Sequence, residues 1–381
     1  MMEKQRKIIE ICLLILIIAA TVFMLLGFAK QSLPFMLGDG IEADYTRARV
    51  VEIVESHLEP YGDKDNNLIG EQVINVKFTE GKLKGQVITL TNYITIDHSV
   101  ILKEGMRVIV GVDAPATAEP YYTLYNNDRT FAIVGIIGAF VLLVVLIGKK
   151  NGLLSCIALA FTVASVFYIL LPNIYIGKSG VLFAFIVVLL SSAVTCFCIS
   201  GLSKKTLINL LGASVGCISS ALIYKICMAL LNISGAAVEE AETLVIISQK
   251  TGLSLNNLLL ASIMIVSLGA VMDVAVSMGA SLGEIKSLNP NVSAKQLMKS
   301  GMNIGRDMIG TMTNTLILAF VGGTLATILI LMAYGVHTTQ LISSNFIALE
   351  VAQGIAGSTA VVLTVPISAF IASVGYTIKC K

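Results

Sequence analysis

The residue in this sequence whose placement most demands a chemical explanation is Asp273. It is the only carboxylate in GAVMDVAVSMGA (residues 269–280), a run of otherwise apolar or small residues. An ionised Asp near the centre of a bilayer costs about 2.5–3.5 kcal/mol on insertion scales. Because helix packing requires no charge, a carboxylate in such a run indicates binding or catalysis.

Asp273 belongs to one of three polar stripes that helical spacing predicts. Residues four, seven and eleven apart return to one face of an α-helix. The stripe of Asp273 contains Gly269, Ser277 and Glu284, with Ser262 farther along. Two later runs repeat the pattern, one with Asp307, Gly310, Thr311 and Asn314, the other with Glu350, Gln353, Gly354 and Gly357. Gly, Ser and Thr stripes also serve close packing of membrane helices, which is the alternative explanation for the uncharged positions.

The depths of these stripes predict a shared site. A rise of about 1.5 Å per residue puts Asp273 roughly 8 Å and Asn314 roughly 9 Å from the same boundary of their spans. We therefore expect Asp273 to face Thr311 and Asn314 across a helix pair. Glu350 lies only about 6 Å below the opposite boundary, so the stripes together would form a track between the two sides.

The composition predicts a polytopic membrane protein. Apolar residues make up 56% of the chain and charged residues 13%, with a mean hydropathy of +0.86. Soluble domains are nearer about 45–50% apolar and 25% charged. The net charge of +2 is small and dispersed, without a basic cluster interleaved with aromatic residues, so nucleic-acid binding is excluded.

Metal and cofactor chemistry finds no support in the sequence. The seven cysteines form no disulfide framework and no metal-binding spacing, and the histidines, His57, His98 and His337, are scattered. No GxxxxGK[ST] motif occurs, so ATP hydrolysis would have to come from another chain. We expect no cofactor, no metal and no enzymatic activity. The DKDNN stretch at 63–67 lacks the Gly and Glu of a calcium loop, and we interpret it as a turn.

Three regions follow from the hydropathy pattern. Residues 1–29 are predicted to be an uncleaved transmembrane anchor, 30–129 an extracytoplasmic β domain, and 130–381 a seven-helix transmembrane domain with a cytoplasmic loop at 283–306. The eight predicted spans lie near 8–28, 130–148, 152–172, 180–201, 206–231, 256–280, 308–335 and 346–376. The last run contains Pro366, and both a long kinked helix and a re-entrant one are compatible with it.

The distribution of basic residues predicts the orientation. Lys and Arg accumulate in short cytoplasmic segments. With the N terminus inside, the short outer loops hold only Lys178 and Lys250, while the inner segments hold the remaining basic residues outside the β region and the spans. We therefore expect both termini in the cytoplasm of a bacterial cell and the β domain on the other side of the cytoplasmic membrane.

Alternating apolar and polar residues predict the strands of the β domain. They lie at 46–55, 71–78, 85–96 and 106–112, with turn residues between them. Four or five strands in about 75 residues favour a small closed barrel of OB-like or SH3-like type, because closure removes exposed edges. We expect residues 45–118 to form this fold.

The run GAVMDVAVSMGASLGEI, followed by SGMNIGRDMIGTMTNTLILAFVGG, strongly resembles the YibE/F family of bacterial multi-pass membrane proteins. The resemblance continues through NFIALEVAQGIAGSTAVVLTVPISA and back to KLKGQVITLTN in the β domain. It implies functional positions at Asp273, Ser277, Glu284, Arg306, Asp307, Gly310, Thr311, Thr313, Asn314, Thr315 and Glu350. An Arg that often follows the Glu of the family's last span is absent here, where the stretch reads Glu350-Val-Ala-Gln353.

Three functions are compatible with these residues. The leading hypothesis is a secondary transporter or permease of unknown substrate, coupled to a proton or cation through Asp273, with Ser277, Thr311, Asn314, Glu350 and Gln353 lining the site. The second is a non-transporting envelope scaffold whose β domain binds a protein partner. The third, more remote, is an intramembrane aspartyl hydrolase that uses Asp273 and Asp307. The expected partners are the lipid bilayer, a small solute or cation, and an envelope protein.

Overall fold

The computed structural model describes residues 2–30, 44–62, 68–98, 100–113, 120–238 and 241–378. These residues are mostly helical, and a separate antiparallel sheet of five strands lies near the N terminus. The predicted turn at 63–67 lies outside the described residues.

Five strands form the sheet: β1 (Asp44–Pro60), β2 (Leu68–Phe78), β3 (Val87–Ile94), β4 (Arg107–Asp113) and β5 (Tyr121–Asn127). Their order is β3-β2-β1-β4-β5, and all neighbouring pairs are antiparallel. Four strands lie where alternation predicts them. The predicted range 45–118 omitted β5, because the alternation in YYTLYNN involves tyrosine and asparagine rather than aliphatic residues.

The sheet curls around its own apolar core. Ala48, Val50, Ile74, Val76 and Val108 are almost completely buried on its inner face. Breaks in the register of β1 after Val50 and Ile53 bend the long strand. The two edge strands, β3 and β5, approach each other but are not hydrogen-bonded neighbours. The sheet is therefore curled and open between β3 and β5, and in this respect it differs from the closed barrel predicted from the sequence.

Two buried amides anchor the segment between β3 and β4. The Gln72 side chain accepts the N–H of Leu102 at 2.9 Å and donates to the Leu102 carbonyl at 3.3 Å. Asn92 donates to the carbonyl of Val100 at 2.8 Å. These bonds satisfy backbone groups of Val100 and Leu102 that no strand pairs with, so the segment covers the core with these groups paired.

The described helices are α1 (Met2–Lys30), α2 (Thr130–Ser165), α3 (Leu171–Tyr175), α4 (Gly180–Ser200), α5 (Lys204–Leu230), α6 (Ala241–Thr251), α7 (Leu255–Leu288), α8 (Ala294–Ala333), α9 (Thr338–Ile342) and α10 (Asn345–Thr377). A π-helical turn, Val166–Leu170, joins α2 to α3. Helices α4, α5, α7, α8 and α10 each begin after a serine whose hydroxyl accepts a backbone N–H three residues later. The predicted cap at Ser293 is confirmed, and it forms a complete capping box with Gln296.

Seven helical stretches of the described chain are long and apolar enough to cross a bilayer, and they indicate a membrane protein. The sequence predicted eight, with separate spans at 130–148 and 152–172. Thr130–Tyr175 counts as one of the seven stretches, but non-helical backbone at Lys149 divides it into two helices, in agreement with the predicted separation. Gly152 lies so close to the carbonyl of Val144 that a side chain would collide with it. A continuous helix would separate these residues by about 12 Å, so the chain reverses at Lys149 and the stretch has two arms.

The chain forms two compact units, one containing the sheet and the start of α2, the other α1 and the chain from Val144 onward. In the helical unit, α10 packs on α5, α7 and α8, while α4 packs on α5 and α7. Helix α10 continues through Pro366 over 33 residues, so it is one long helix rather than a re-entrant segment.

Candidate functional site

The polar stripe of α7 faces away from the rest of the helical unit. Gly269, Asp273, Ser277 and Glu284 are all exposed. The other side of the helix is the buried one; it carries Val271, Val274 and Met278, each 0% exposed. Asp273 makes no hydrogen bond or ion pair with any described residue. This face therefore meets none of the other packed helices.

The polar stripe of α8 is also directed outward. The exposed residues here are Arg306, Asp307, Gly310, Thr311, Asn314 and Thr315, whereas Gly301 and Gly305 on the opposite side are buried. The Thr311 hydroxyl donates to the carbonyl of Met308 at 3.1 Å, and that of Thr315 donates to the carbonyl of Thr311 at 2.9 Å. Thr313 is half-buried, and its hydroxyl has no partner among the described residues. The hydrogen bonds that Arg306, Thr311 and Thr315 of this stripe make with described residues thus all lie within α8.

The predicted contact of Asp273 with Thr311 and Asn314 is not made. Gly301 of α8 packs against Met278 and Leu282 of α7. Counting from this contact, Asp273 lies about 8 Å and Asp307 about 9 Å along their antiparallel helices, but Asn314 lies about 20 Å away. Asp273 therefore shares its height with Asp307 rather than with Asn314. The depth was misjudged because α8 begins at Ala294, fourteen residues before the expected start of the span at 308.

The polar stripe of α10 is the one that turns inward. Gln353 is half-buried, and Gly354 and Gly357 are buried. The Tyr224 hydroxyl of α5, which is completely buried, lies beside the Gln353 side chain without full hydrogen-bond geometry, and the half-buried Glu350 is within electrostatic reach of it. Helical spacing continues this stripe to Thr364 and Ser368, which are buried as well.

A line of polar side chains, which we call the polar seam, runs along the interface of α5, α7 and α10. The Ser267 and Ser220 hydroxyls form a hydrogen bond of 2.8 Å. Gly216 packs directly against Thr364, and a side chain at Gly212 would come within 2.6 Å of the Ser368 hydroxyl. The seam comprises Asn209, Ser220 and Tyr224 of α5, Ser267 of α7, and Gln353, Thr364 and Ser368 of α10.

The seam extends through most of a bilayer thickness. Tyr224 and Asn209, at its two ends, are fifteen residues apart on α5, which corresponds to about 22 Å along the helix axis. With its amide nitrogen turned toward them, Asn209 donates to the carbonyls of Ala275 and Lys205 at 3.3 Å each. Near that end, Tyr376 donates to the carbonyl of Gly279 at 2.8 Å. Polar groups are thus present at each level from one end to the other.

Several hydroxyls in and beside the seam lack partners. Those of Tyr224, Ser358 and Ser368 are buried without a hydrogen bond to a described residue, as are those of Ser191 and Ser192 on α4. A buried polar group left unpaired costs about 1–3 kcal/mol. Tight packing by Gly212 and Gly216 does not require hydroxyls at these places, so packing alone does not account for these polar groups.

The β domain carries a separate cleft of about 700 Å³ at the approach of β3 to β5. Its lining includes Tyr45, Tyr93, Tyr121, Tyr125 and His98, and the rings of Tyr45 and Tyr125 meet edge to face with centroids 5.1 Å apart. The described residues that line it include no Lys, Arg, Asp or Glu. Among the described residues, no three His, Cys, Asp or Glu side chains are grouped so that they could hold a metal ion.

A family model described as YibE/F-like protein matches residues 136–378. The chain belongs to the YibE/F-like family. This confirms the resemblance noted in the sequence and covers every candidate position of the helical unit, whereas the sheet of this YibE/F-like protein lies outside the matched range. Neither a curated protein nor a solved structure matches the chain.

Analysis of the sequence missed the α5 half of the seam in this YibE/F-like protein. Asn209, Gly212, Gly216, Ser220 and Tyr224 follow one another at intervals of three or four residues, which is the signal that could have identified the stripe. This stripe was not predicted because none of its residues is charged, whereas the predicted stripes of α7, α8 and α10 each contain a carboxylate.

Proposed function

We propose that this YibE/F-like protein is a secondary transporter of the bacterial cytoplasmic membrane, and that a small solute or cation passes along the polar seam. The observation that carries the proposal is the buried polar seam itself, in which the hydroxyls of Tyr224 and Ser368 have no hydrogen bond to a described residue. Hydroxyl and amide groups near the bilayer midplane are typical ligands for solutes and coupling ions in transporters.

Glu350 is the coupling group that fits this path best. Proton or cation coupling was expected at Asp273, but that side chain faces outward, away from the seam. Glu350 is half-buried at one end of the seam and interacts electrostatically with Tyr224. A carboxylate at this position would exchange a proton or bind a cation as the path opens to that side.

The glycines of α5 supply the means of opening. Gly212 and Gly216 bring α5 against α10 and α7, so the seam is closed to water in this arrangement. Transport requires α5 and α10 to separate at one end at a time, which is the rocking motion of alternating access. The Lys and Arg asymmetry of the short loops supports an orientation with both termini in the cytoplasm and the β domain outside.

Cysteine accessibility tests this path without knowledge of the substrate. In a full-length variant without the native cysteines, Ser220→Cys lies on the seam, while Leu222→Cys, on the same helix at nearly the same depth, is exposed on the outer surface. A charged thiol reagent that cannot cross the bilayer is added to oriented membrane vesicles from either side. We expect residue 220 to react several-fold faster than residue 222, because only the seam admits water in a transport cycle. Equal protection of both positions from both sides would contradict a transport path.

A scaffold function is the second candidate, and the tyrosine-lined cleft between β3 and β5 favours it. Exposed Tyr rings are common in surfaces that bind proteins. If the protein is a scaffold, a cysteine at residue 220 should stay inaccessible to the charged thiol reagent. The aspartyl hydrolase is not proposed, because its two carboxylates must share a proton, and Asp273 and Asp307 share no hydrogen bond in the described structure.

A further inference from the structure

We propose that α8 pairs with α8 of a second copy of this chain, so that the protein is a symmetric dimer in the membrane. The interface is the α8 stripe, which we define as Asn303, Arg306, Asp307, Gly310 and Asn314; all five are exposed. This pairing does not depend on the proposed transport path, whose side chains belong to α5, α7 and α10 and not to the α8 stripe.

The first argument is that the charged side chains of this stripe need a partner that shields them from lipid. Asp307 directly precedes the uncharged run that begins at Met308, so it lies at the edge of the apolar part of α8. It makes no hydrogen bond or ion pair with any described residue. Arg306 reaches only Asn303 of its own helix, at 3.4 Å. Charged residues at the edge of an apolar run normally face protein or water, because exposure to lipid is unfavourable.

The second argument concerns glycine. A side chain at Gly305 would collide with Val365, so the close approach of α10 explains that glycine. At Gly310 an added Cβ would meet no atom within 4 Å. Glycine is disfavoured in a helix relative to alanine, so the packing of its own chain gives no reason for Gly310. The close approach of another helix to this surface supplies the reason.

The helices that pack against α8 do not cover the stripe. They contact the opposite side of α8, at Gly301 and Gly305.

Symmetry makes a second copy the matching partner. Two copies inserted with the same orientation are related by a twofold axis along the membrane normal, and their α8 helices run parallel. Arg306 and Asp307 are about 100° apart on the helix and lie on either side of Gly310. The twofold rotation therefore places Arg306 of each copy opposite Asp307 of the other at equal height, and Gly310 between them allows the close approach.

Crosslinking tests the contact directly. In full-length protein without native cysteines, Gly310→Cys and the control Leu222→Cys are oxidised in native membranes with copper phenanthroline. We expect a disulfide-linked dimer for residue 310 and only monomer for residue 222, which is exposed elsewhere. Monomer in both cases, or equal dimer in both, would overturn the interface.

Exchange of the charges tests the pairing itself. Dimer fraction is measured by photobleaching of singly labelled chains in liposomes at several protein-to-lipid ratios. Arg306→Asp and Asp307→Arg should each lower the association constant at least about tenfold, and the double exchange should restore most of it. A double variant no better than the single ones, or single variants equal to wild type, would refute the ion pairs. If a single variant misfolds, the Gly310→Cys result still decides whether the interface exists.

Discussion

Two glycines of α8 should respond in opposite directions to the same substitution. Gly305 and Gly310 lie five residues apart, and a Cβ at Gly305 would collide with the side chain of Val365, whereas a Cβ at Gly310 would meet open space within its own chain. We expect Gly305→Ala to destabilise the helical unit and Gly310→Ala to stabilise it slightly.

The expected difference in stability between the two variants follows from helix propensity, which is common to both, and packing, which is not. Replacing Gly by Ala in a helix interior stabilises by about 1 kcal/mol at either position. At Gly305 the added methyl group overpacks against Val365, whose branched side chain has one preferred rotamer in a helix and cannot turn away. Overpacking of this kind costs about 1–3 kcal/mol. The difference between the two variants removes the propensity and isolates the packing, so it should be about 1–3 kcal/mol.

The assay is thermal unfolding in nanodiscs that hold one chain each, so that dimer formation does not contribute. A thiol-reactive dye reports unfolding through Cys196 and Cys217, which are completely buried. For a unit of this size each kcal/mol shifts the melting temperature by about 2–4 °C. If Gly305→Ala melts at or above the temperature of Gly310→Ala, the close packing of α8 on α10 described above is refuted.

Two predictions concern the β domain and are measured by hydrogen exchange of its strands in the full-length protein. Hydrogen bonds from Thr130, together with the charges of Arg47 and Arg107, hold the pKa of Asp128 below its usual 3.8. Asp128→Asn should therefore cost about 1–3 kcal/mol at pH 7. Because the folded pKa is the lower one, this contribution is present above the unfolded pKa and is lost as pH falls through the folded pKa; a difference between variant and wild type that persists unchanged at pH 3 would contradict it. Gln72→Leu leaves the N–H and carbonyl of Leu102 unpaired and should cost about 1–3 kcal/mol, whereas the exposed Gln86→Leu should change protection by less than about 0.5 kcal/mol.

Local sequence patterns predicted most of the helices and strands of this protein. The apolar runs predicted the long helices, because twenty apolar residues in sequence are recognisable without knowledge of their neighbours. Ser293 was identifiable as a helix cap, because capping involves residues only three apart. Alternation located β1 to β4, and it missed β5 because Tyr and Asn alternate less clearly than aliphatic and charged residues. The family was likewise recognisable from contiguous stretches of residues 269–323.

The arrangement of the candidate site depended on tertiary structure. Helical spacing placed Asp273, Asp307 and Glu350 each on a polar stripe, and those stripes exist. Spacing defines a face relative to the axis of one helix, and it carries no information about which neighbour that face meets. The direction is decided by side chains distant in sequence, such as Met278 against Gly301 and Thr364 against Gly216. Those contacts turn the α10 stripe into the interior beside α5 and leave the stripes of α7 and α8 on the outside.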